Sequence, residues 1–247
     1  MDRFVYLAMT GAKHALQAQQ HNSHNLANAS TPGFRADLDQ LISQPVSGPG
    51  YQSRTYASET SVGWDFRHGT MMTTGHELDV AVRGDGWLAI QAPDGNEAYS
   101  RRGDLRISPM GLLEDGAGRP VMGENGPVAL PPADRVEIGS DGTISIVPMG
   151  QPADNLVVMD RIKLVNPPVN QLEKGADGLF RPADGAMAPP DAGVQLAVGV
   201  LEGSNVNSVE ALVNMIDLSR QFETYVKALG KAEENDAASS RLLRMQG

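Results

Sequence analysis

The sequence predicts an α+β fold in which long N- and C-terminal helices form a coiled-coil-like pair and an antiparallel β-rich domain, a barrel or a sandwich, is inserted between them. Three observations predict it. Near the C-terminus, apolar or small residues fall at Met215, Leu218, Phe222, Tyr225, Leu229 and Ala232, spaced by three and four, with Leu243 further on. Near the N-terminus the same stepping runs through Val5, Met9, Ala12, Leu16, Gln19, Ser23 and Leu26. From Leu78 onward the apolar period drops to two, the signature of half-buried strands.

The C-terminal helix has a start signal. Asn207-Ser208-Val209-Glu210 places a capping side chain three residues before a glutamate. No proline follows, and Gly230 is the only glycine before the last residue. At 1.5 Å per residue the helix is about 55–60 Å long, too long for a domain of this size to cover. It needs a partner, and the first helix supplies one. That helix runs from Asp2 to Asn28 and carries a thinner stripe, because Ala12, Gln19 and Ser23 replace larger apolar residues. Small residues let helices approach closely, as in a multi-helix assembly. Val5, Met9, Ala12, Leu16 and Leu26 on the first helix, and Met215, Leu218, Phe222, Tyr225 and Leu229 on the last, are the expected assembly positions.

Between the helices the chain divides by composition. Asn28-Ala29-Ser30-Thr31-Pro32-Gly33-Phe34 ends the first helix, since the residue before proline is pushed out of the helical region. Arg35 to Gln44 is read as a short extension, and Pro45 to Trp64 as linker without a clear period. Leu78, Val80 and Val82 alternate with small or polar residues, Gly84-Asp85-Gly86 turns the chain, and Trp87 to Gln91 follows; together these predict a hairpin. A second turn at Asp94-Gly95 precedes Ala98 to Arg101. Val136 to Ile138, Ser140-Asp141-Gly142 and Thr143 to Val147 form the most persuasive hairpin. The stretch from Pro167 to Gly193 reads as loop, and Val194 to Leu201 as a returning strand. The expected division is therefore an assembly helix at 1–30, an extended linker at 31–76, a β-rich domain at 77–168, a return loop and strand at 169–205, and a second assembly helix at 206–247.

Composition removes several function classes. The formal net charge of -10 leaves no basic stripe for nucleic acid. The absence of cysteine removes disulfides, thiolate metal sites and cysteine catalysis together. No apolar run reaches the length of a membrane span. Arg3 is followed by an amphipathic stretch, so a secretory signal peptide is not expected.

Few residues invite a chemical reading. His14, His21 and His24 share the first helix, and the last two are spaced to share a face. No carboxylate or cysteine lies near these histidines before Asp37 to complete a metal site, so polar residues at a subunit contact are the favoured reading. Glu114-Asp115 and Asp141 precede glycine and read as turn residues before they read as paired catalytic acids. Gly84-Asp85-Gly86 is followed by neither a helix nor a Lys-Ser/Thr pair, so it is no phosphate loop. The expectation is a non-enzyme without metal or cofactor.

Three segments carry a resemblance. Asn25-Leu26-Ala27-Asn28-Ala29-Ser30-Thr31-Pro32-Gly33-Phe34 resembles the Asn-Leu-Ala-Asn-x-x-Thr-x-Gly-Phe motif of flagellar axial proteins of the rod and hook. Leu78-Asp79-Val80-Ala81-Val82-Arg83-Gly84-Asp85-Gly86-Trp87 is similar to their Leu-Asp-Val-Ala-x-x-Gly-Asp-Gly-Phe segment, with Trp87 in the aromatic place. Leu201 to Asn207, with Val209 and Glu210, matches the approach to their C-terminal helix. His24 departs from the asparagine often found there. Met1-Asp2-Arg3, Leu201-Glu202-Gly203-Ser204 and Ala232-Glu233-Glu234-Asn235 look like the proximal-rod type within the family.

The resemblance implies a structural subunit of the bacterial flagellar basal body. It implies partners among the proximal and distal rod proteins and copies of the chain itself, export by the flagellar type III apparatus without loss of a signal peptide, and assembly beneath the rod cap into a tube across the periplasm. It implies also that the terminal helices line that tube. A distal-rod or hook-type axial subunit is the neighbouring alternative. From another class, a cell-wall-binding surface module would place the activity in the β-rich domain alone.

Overall fold

A computed structural model describes residues 3–45, 55–152 and 154–245. The chain forms two compact units. One comprises Met1–Ala29, Ala36–Asp65 and Val206–Gly247; the other comprises Ser30–Arg35 and Phe66–Asn205.

The first unit holds α1 (Arg3–Ala27), the strands β1 (Asp37–Pro45) and β2 (Thr55–Trp64), and α2 (Ser208–Met245). Asn207 caps α2 as its sequence position predicts: its Oδ1 accepts from the amides of Val209 at 3.1 Å and Glu210 at 3.3 Å. The two helices pack on each other. On α2, Ala211 and Ala232 are buried, and Met215, Leu218, Phe222, Tyr225 and Leu229 between them are half-buried. On α1 the buried stripe is Ala8, Ala12 and Ala15, while Met9 and Leu16 are 54% and 47% exposed. The sequence spacing places Met9 and Leu16 on one stripe with Ala12, but packing chooses the alanines because they let the helix backbones approach. In the stretch read as extension and linker, β1 and β2 pair antiparallel from Asp37↔Trp64 to Pro45↔Thr55, with a register shift between Asp39 and Leu41. Residues 46–54 of that stretch lie outside the described residues.

Among the described residues the second unit holds sixteen short strands. They are β3 (Met71–Thr73), β4 (Val80–Arg83), β5 (Trp87–Gln91), β6 (Glu97–Ser100), β7 (Arg106–Ile107), β8 (Leu113–Glu114), β9 (Met122–Gly123) and β10 (Gly126–Pro127). β11 (Ala133–Ile138), β12 (Thr143–Pro148), β13 (Val157–Arg161), β14 (Leu164–Val165), β15 (Leu172–Lys174), β16 (Phe180–Pro182), β17 (Gln195–Val198) and β18 (Val200–Glu202) follow. The largest sheet has the order β14-β5-β6-β16-β15, the next is β11-β12-β13, and the others are pairs. A barrel or a sandwich is expected; among the described residues no sheet closes on itself, so the barrel is not formed and several small antiparallel sheets surround one core. Val80, Val82, Leu88, Ile90, Leu113, Ile144, Ile146, Ile162 and Leu196 form that core.

The hairpin at Ser140-Asp141-Gly142 is present, with Gly142 at φ +86° and the Asp141 carboxylate accepting from the Thr143 amide and hydroxyl. Its counterpart at Gly84-Asp85-Gly86 is not. β4 pairs with β17, and β5 pairs with β6 and β14. The reason is Arg101, whose guanidinium donates to the carbonyls of Val82 at 2.9 Å, Gly84 at 2.9 Å and Gly86 at 2.8 Å. With those acceptors taken up by a side chain, the turn passes the chain from one sheet to another. The stretch read as loop between Pro167 and Gly193 contains β15 and β16, which are too short to show a period. The returning strand is divided into β17 and β18 at Gly199, where φ is +71°.

Candidate functional site

The helix pair of the first unit leaves two apolar surfaces unburied. At 100° per residue, Val209, Leu212, Val213 and Ile216 fall on the side of α2 opposite its packed seam, and all four are exposed, Ile216 by 55%. On α1, Tyr6, Met9 and Leu16 lie to one side of the buried alanines and are exposed as well. Of the positions expected to serve assembly, Ala12 is thus buried within the chain, Val5 and Leu26 are half-buried, and Met9 and Leu16 face outward. Leu212, Val213 and Ile216 are not among the expected assembly positions, although Val213 and Leu212 stand three and four residues before Ile216; the seam from Met215 to Leu229 carries the longer apolar spacing.

The motif at the end of α1 has local work. The Asn25 side chain pairs with the main chain of Asp37 on both sides, donating from Nδ2 to its carbonyl at 2.9 Å and accepting at Oδ1 from its amide at 2.8 Å. An asparagine amide reproduces one step of a β-ladder and so fixes where β1 begins. Asn28 donates to the His24 carbonyl at 2.9 Å and closes the helix end. His24 meets Asp37, with Nδ1 and Oδ2 2.6 Å apart. Ala27, between these residues, is exposed on the last turn of α1. The departure from asparagine at position 24 is thus a partner for the first carboxylate beyond the helix.

In the second unit the motif residues Thr31, Gly33 and Phe34 lie beside a buried ion cluster that the sequence reading did not single out. Glu202, the acid of Leu201-Glu202-Gly203-Ser204, is fully buried between Arg35 and Arg101. Its Oε1 accepts from Arg35 Nη2 at 2.6 Å and from the Gly69 amide at 3.0 Å; its Oε2 accepts from Arg101 Nε at 2.6 Å. Its backbone carbonyl accepts from the Gly33 amide at 2.7 Å. Burial opposes the charge on Glu202, but the Arg101 and Arg35 guanidinium groups outweigh it and hold the carboxyl below its ordinary range. Thr31 accepts at its carbonyl from the Phe34 amide at 3.3 Å, and Lys174 Nζ stands 4.1 Å from the Phe34 ring centroid while donating to the Arg35 carbonyl at 2.9 Å.

The second motif converges on the same cluster through Arg101, which holds the Val82, Gly84 and Gly86 carbonyls and lies 5.9 Å from the Trp87 ring centroid. Trp87 packs in turn on Phe180, centroids 4.7 Å apart. Leu78 lies against the core, and Asp79 accepts from the Thr74 hydroxyl at 2.6 Å and, at its carbonyl, from the Gly199 amide at 2.7 Å. The three resembling segments therefore meet in part around one carboxylate. The cluster ties distant segments of the one chain together through Arg35, Gly69, Arg101 and Glu202. Asp115 accepts at Oδ1 from the amides of Ala117 and Arg119, in the manner of a turn residue, and Glu114 lies in β8 beside Arg106.

Two family models match the chain: "Flagellar hook protein FlgE/F/G D1 domain" over residues 81–146 and "Flagellar basal body rod FlgEFG protein C-terminal" over residues 197–242. The flagellar basal-body rod proteins FlgF of Salmonella typhimurium and Escherichia coli are each 40% identical to it, over 99% of this chain and 100% of theirs. The chain belongs to the FlgF family of flagellar basal-body rod proteins. FlgG of Buchnera aphidicola, 32% identical over 90% of this chain and 94% of its own, is a more distant member of the same group. As a FlgF-family member the chain is a structural subunit of the flagellar rod, located in the basal body, and not an enzyme. No helix among its described residues is long and apolar enough to cross a membrane.

Proposed function

We propose that this rod subunit belongs to the proximal rod and polymerises through its terminal helices, as the coiled-coil-like elements of a periplasm-spanning tube. The carrying observation is that pairing α1 with α2 leaves Val209, Leu212, Val213 and Ile216 on one side and Tyr6, Met9 and Leu16 on another in water. Covering them contributes about 25 cal/mol per Å² of apolar surface, which only a neighbouring subunit can supply. Two different faces make a heterologous contact, and repeating one generates a helical tube and not a closed dimer.

On this reading residues 1–30 and 206–247 are the assembly segments and the intervening chain is a body carried by them. The neighbours are copies of the chain and the other proximal and distal rod proteins. The subunit reaches them unfolded through the flagellar type III export apparatus, without a cleaved signal peptide, and is added beneath the rod cap. The family motifs at Asn25 and Asn28 and around Glu202 hold the segments that lead into and out of the helices.

The test is swimming in a strain lacking this gene, complemented by the full chain or by a chain ending at Val206. Rescue by the full chain alone is expected, with export and folding of the shortened chain checked separately. Rescue by both would retain the rod assignment and reject assembly through α2.

A further inference from the structure

Leu156 and the first three residues of β13, Val157, Val158 and Met159, expose a run of apolar side chains, with Val158 65% exposed, before Asp160 and Arg161 complete the strand. It stands at one edge of the sheet β11-β12-β13, pairing with β12 only. Exposed side chains at successive positions mean that both faces of the strand are open, as well as its edge. A free apolar edge is a liability that proteins usually blunt with charge, proline or a covering segment, and none of these lies within Leu156–Met159. Toward the other edge of the same sheet, Ala133 and Val136 of β11 line a cleft of about 360 Å³ whose other walls include Ile107, Met110, Leu130 and Pro131. Met110 is 84% exposed at its rim. No charged residue lines it.

We propose that β13 of one copy docks into this Ile107–Pro131 cleft of a second copy, giving the β-rich unit a subunit contact of its own. The inference rests on the reading that the chain polymerises. Two features argue for a second copy as the occupant. The chain carries a formal charge of -10, so copies repel across most of their surfaces, and the strand segment and the cleft are the uncharged places where they can close. The two lie at opposite edges of one sheet, so docking at one leaves the other free for the next copy. That is the geometry of a contact that repeats.

The chain has no cysteine, so an engineered pair reports the contact without background from the chain itself. Full-length Val158→Cys and Met110→Cys chains, each with its own epitope tag, are co-expressed in cells lacking the native copy and treated with a mild oxidant. The mixed disulfide is expected at about tenfold over that of Val158→Cys with Met187→Cys, a pair exposed but not apposed in the contact. No such enrichment overturns the contact, and so does a predominance of disulfides between two Val158→Cys chains, which would mean that the edge meets itself. Motility conferred by the unaltered chain is scored in parallel. Motile cells without the mixed disulfide reject this contact alone, whereas failure of the unaltered chain to restore motility rejects the rod reading and the contact with it.

Discussion

Gly33 rests directly on the main chain of Arg101: a Cβ at position 33 would lie 2.3 Å from the Arg101 carbonyl carbon and 2.4 Å from its oxygen. Its φ is +69°, a conformation that side chains disfavour. Backbone cannot rotate aside as a side chain can, so Gly33→Ala must displace the segment that carries Arg35 to Glu202. A loss of about 2–4 kcal/mol is expected, from the strained φ and the overlap together. Denaturant unfolding followed through Trp87 in a Trp64→Phe background measures it; an unchanged midpoint would contradict the close approach.

A second glycine sets the helix pair. A Cβ on Gly11 would lie 2.4 Å from Cε1 of Tyr225. Gly11→Ala gains about 1 kcal/mol of helix propensity but pushes the ring off the seam, at a cost of about 1–3 kcal/mol. The expected net result is destabilisation of the first unit. Tyr225→Leu in the same chain makes the alanine tolerable, so the double variant loses less than the sum of the two. Thermal unfolding of the four chains checks this, and simple additivity would count against the contact.

Glu202 gives the fold a pH dependence of known sign. Its carboxyl is held below the ordinary value of 4.5 in the folded chain, so the unfolded chain binds the proton first as pH falls. The stabilisation is complete above about pH 4.5 and is lost as pH drops through the folded value. Glu202→Gln leaves Arg35 and Arg101 buried without their counter-charge, at a cost of about 3–5 kcal/mol at neutral pH. It should also flatten the acid limb of stability against pH. An acid limb of the same steepness in Glu202→Gln would assign that limb to other carboxylates.

The terminal helices were legible because their signals are local. Asn207 and Glu210 mark a start, and the spacing from Met215 to Leu229 marks one face. The Asp141-Gly142 hairpin was legible for the same reason. The failures are all non-local. Nothing near Gly84-Asp85-Gly86 says that a guanidinium from Arg101 will take its carbonyls and part β4 from β5. Ala12 is on the expected stripe, but nothing local says that Ala8 and Ala15 join it in the seam while Met9 stays outside, since that choice depends on how closely α2 approaches. Glu202 was visible only as one letter of a resembling segment; its partners lie 167 and 101 residues away.

Leu218 and Ile216 separate the two faces of α2. Leu218 is half-buried in the seam and Ile216 is exposed on the other side. Leu218→Asp should loosen the helix pair and abolish assembly while the Trp87 environment of the second unit stays native, as near-ultraviolet circular dichroism in a Trp64→Phe background would report. A loss of the Trp87 signal would show that the second unit depends on the seam.

The most direct measurement is the yield of basal bodies with complete rods from cells whose only copy carries Ile216→Asp. The side chain is in water in the isolated chain, so helicity and thermal stability of the purified variant should match the unaltered protein. The expected result is a stable, exported subunit with no rods and no swimming. Normal rods from Ile216→Asp would contradict assembly through the outward face of α2.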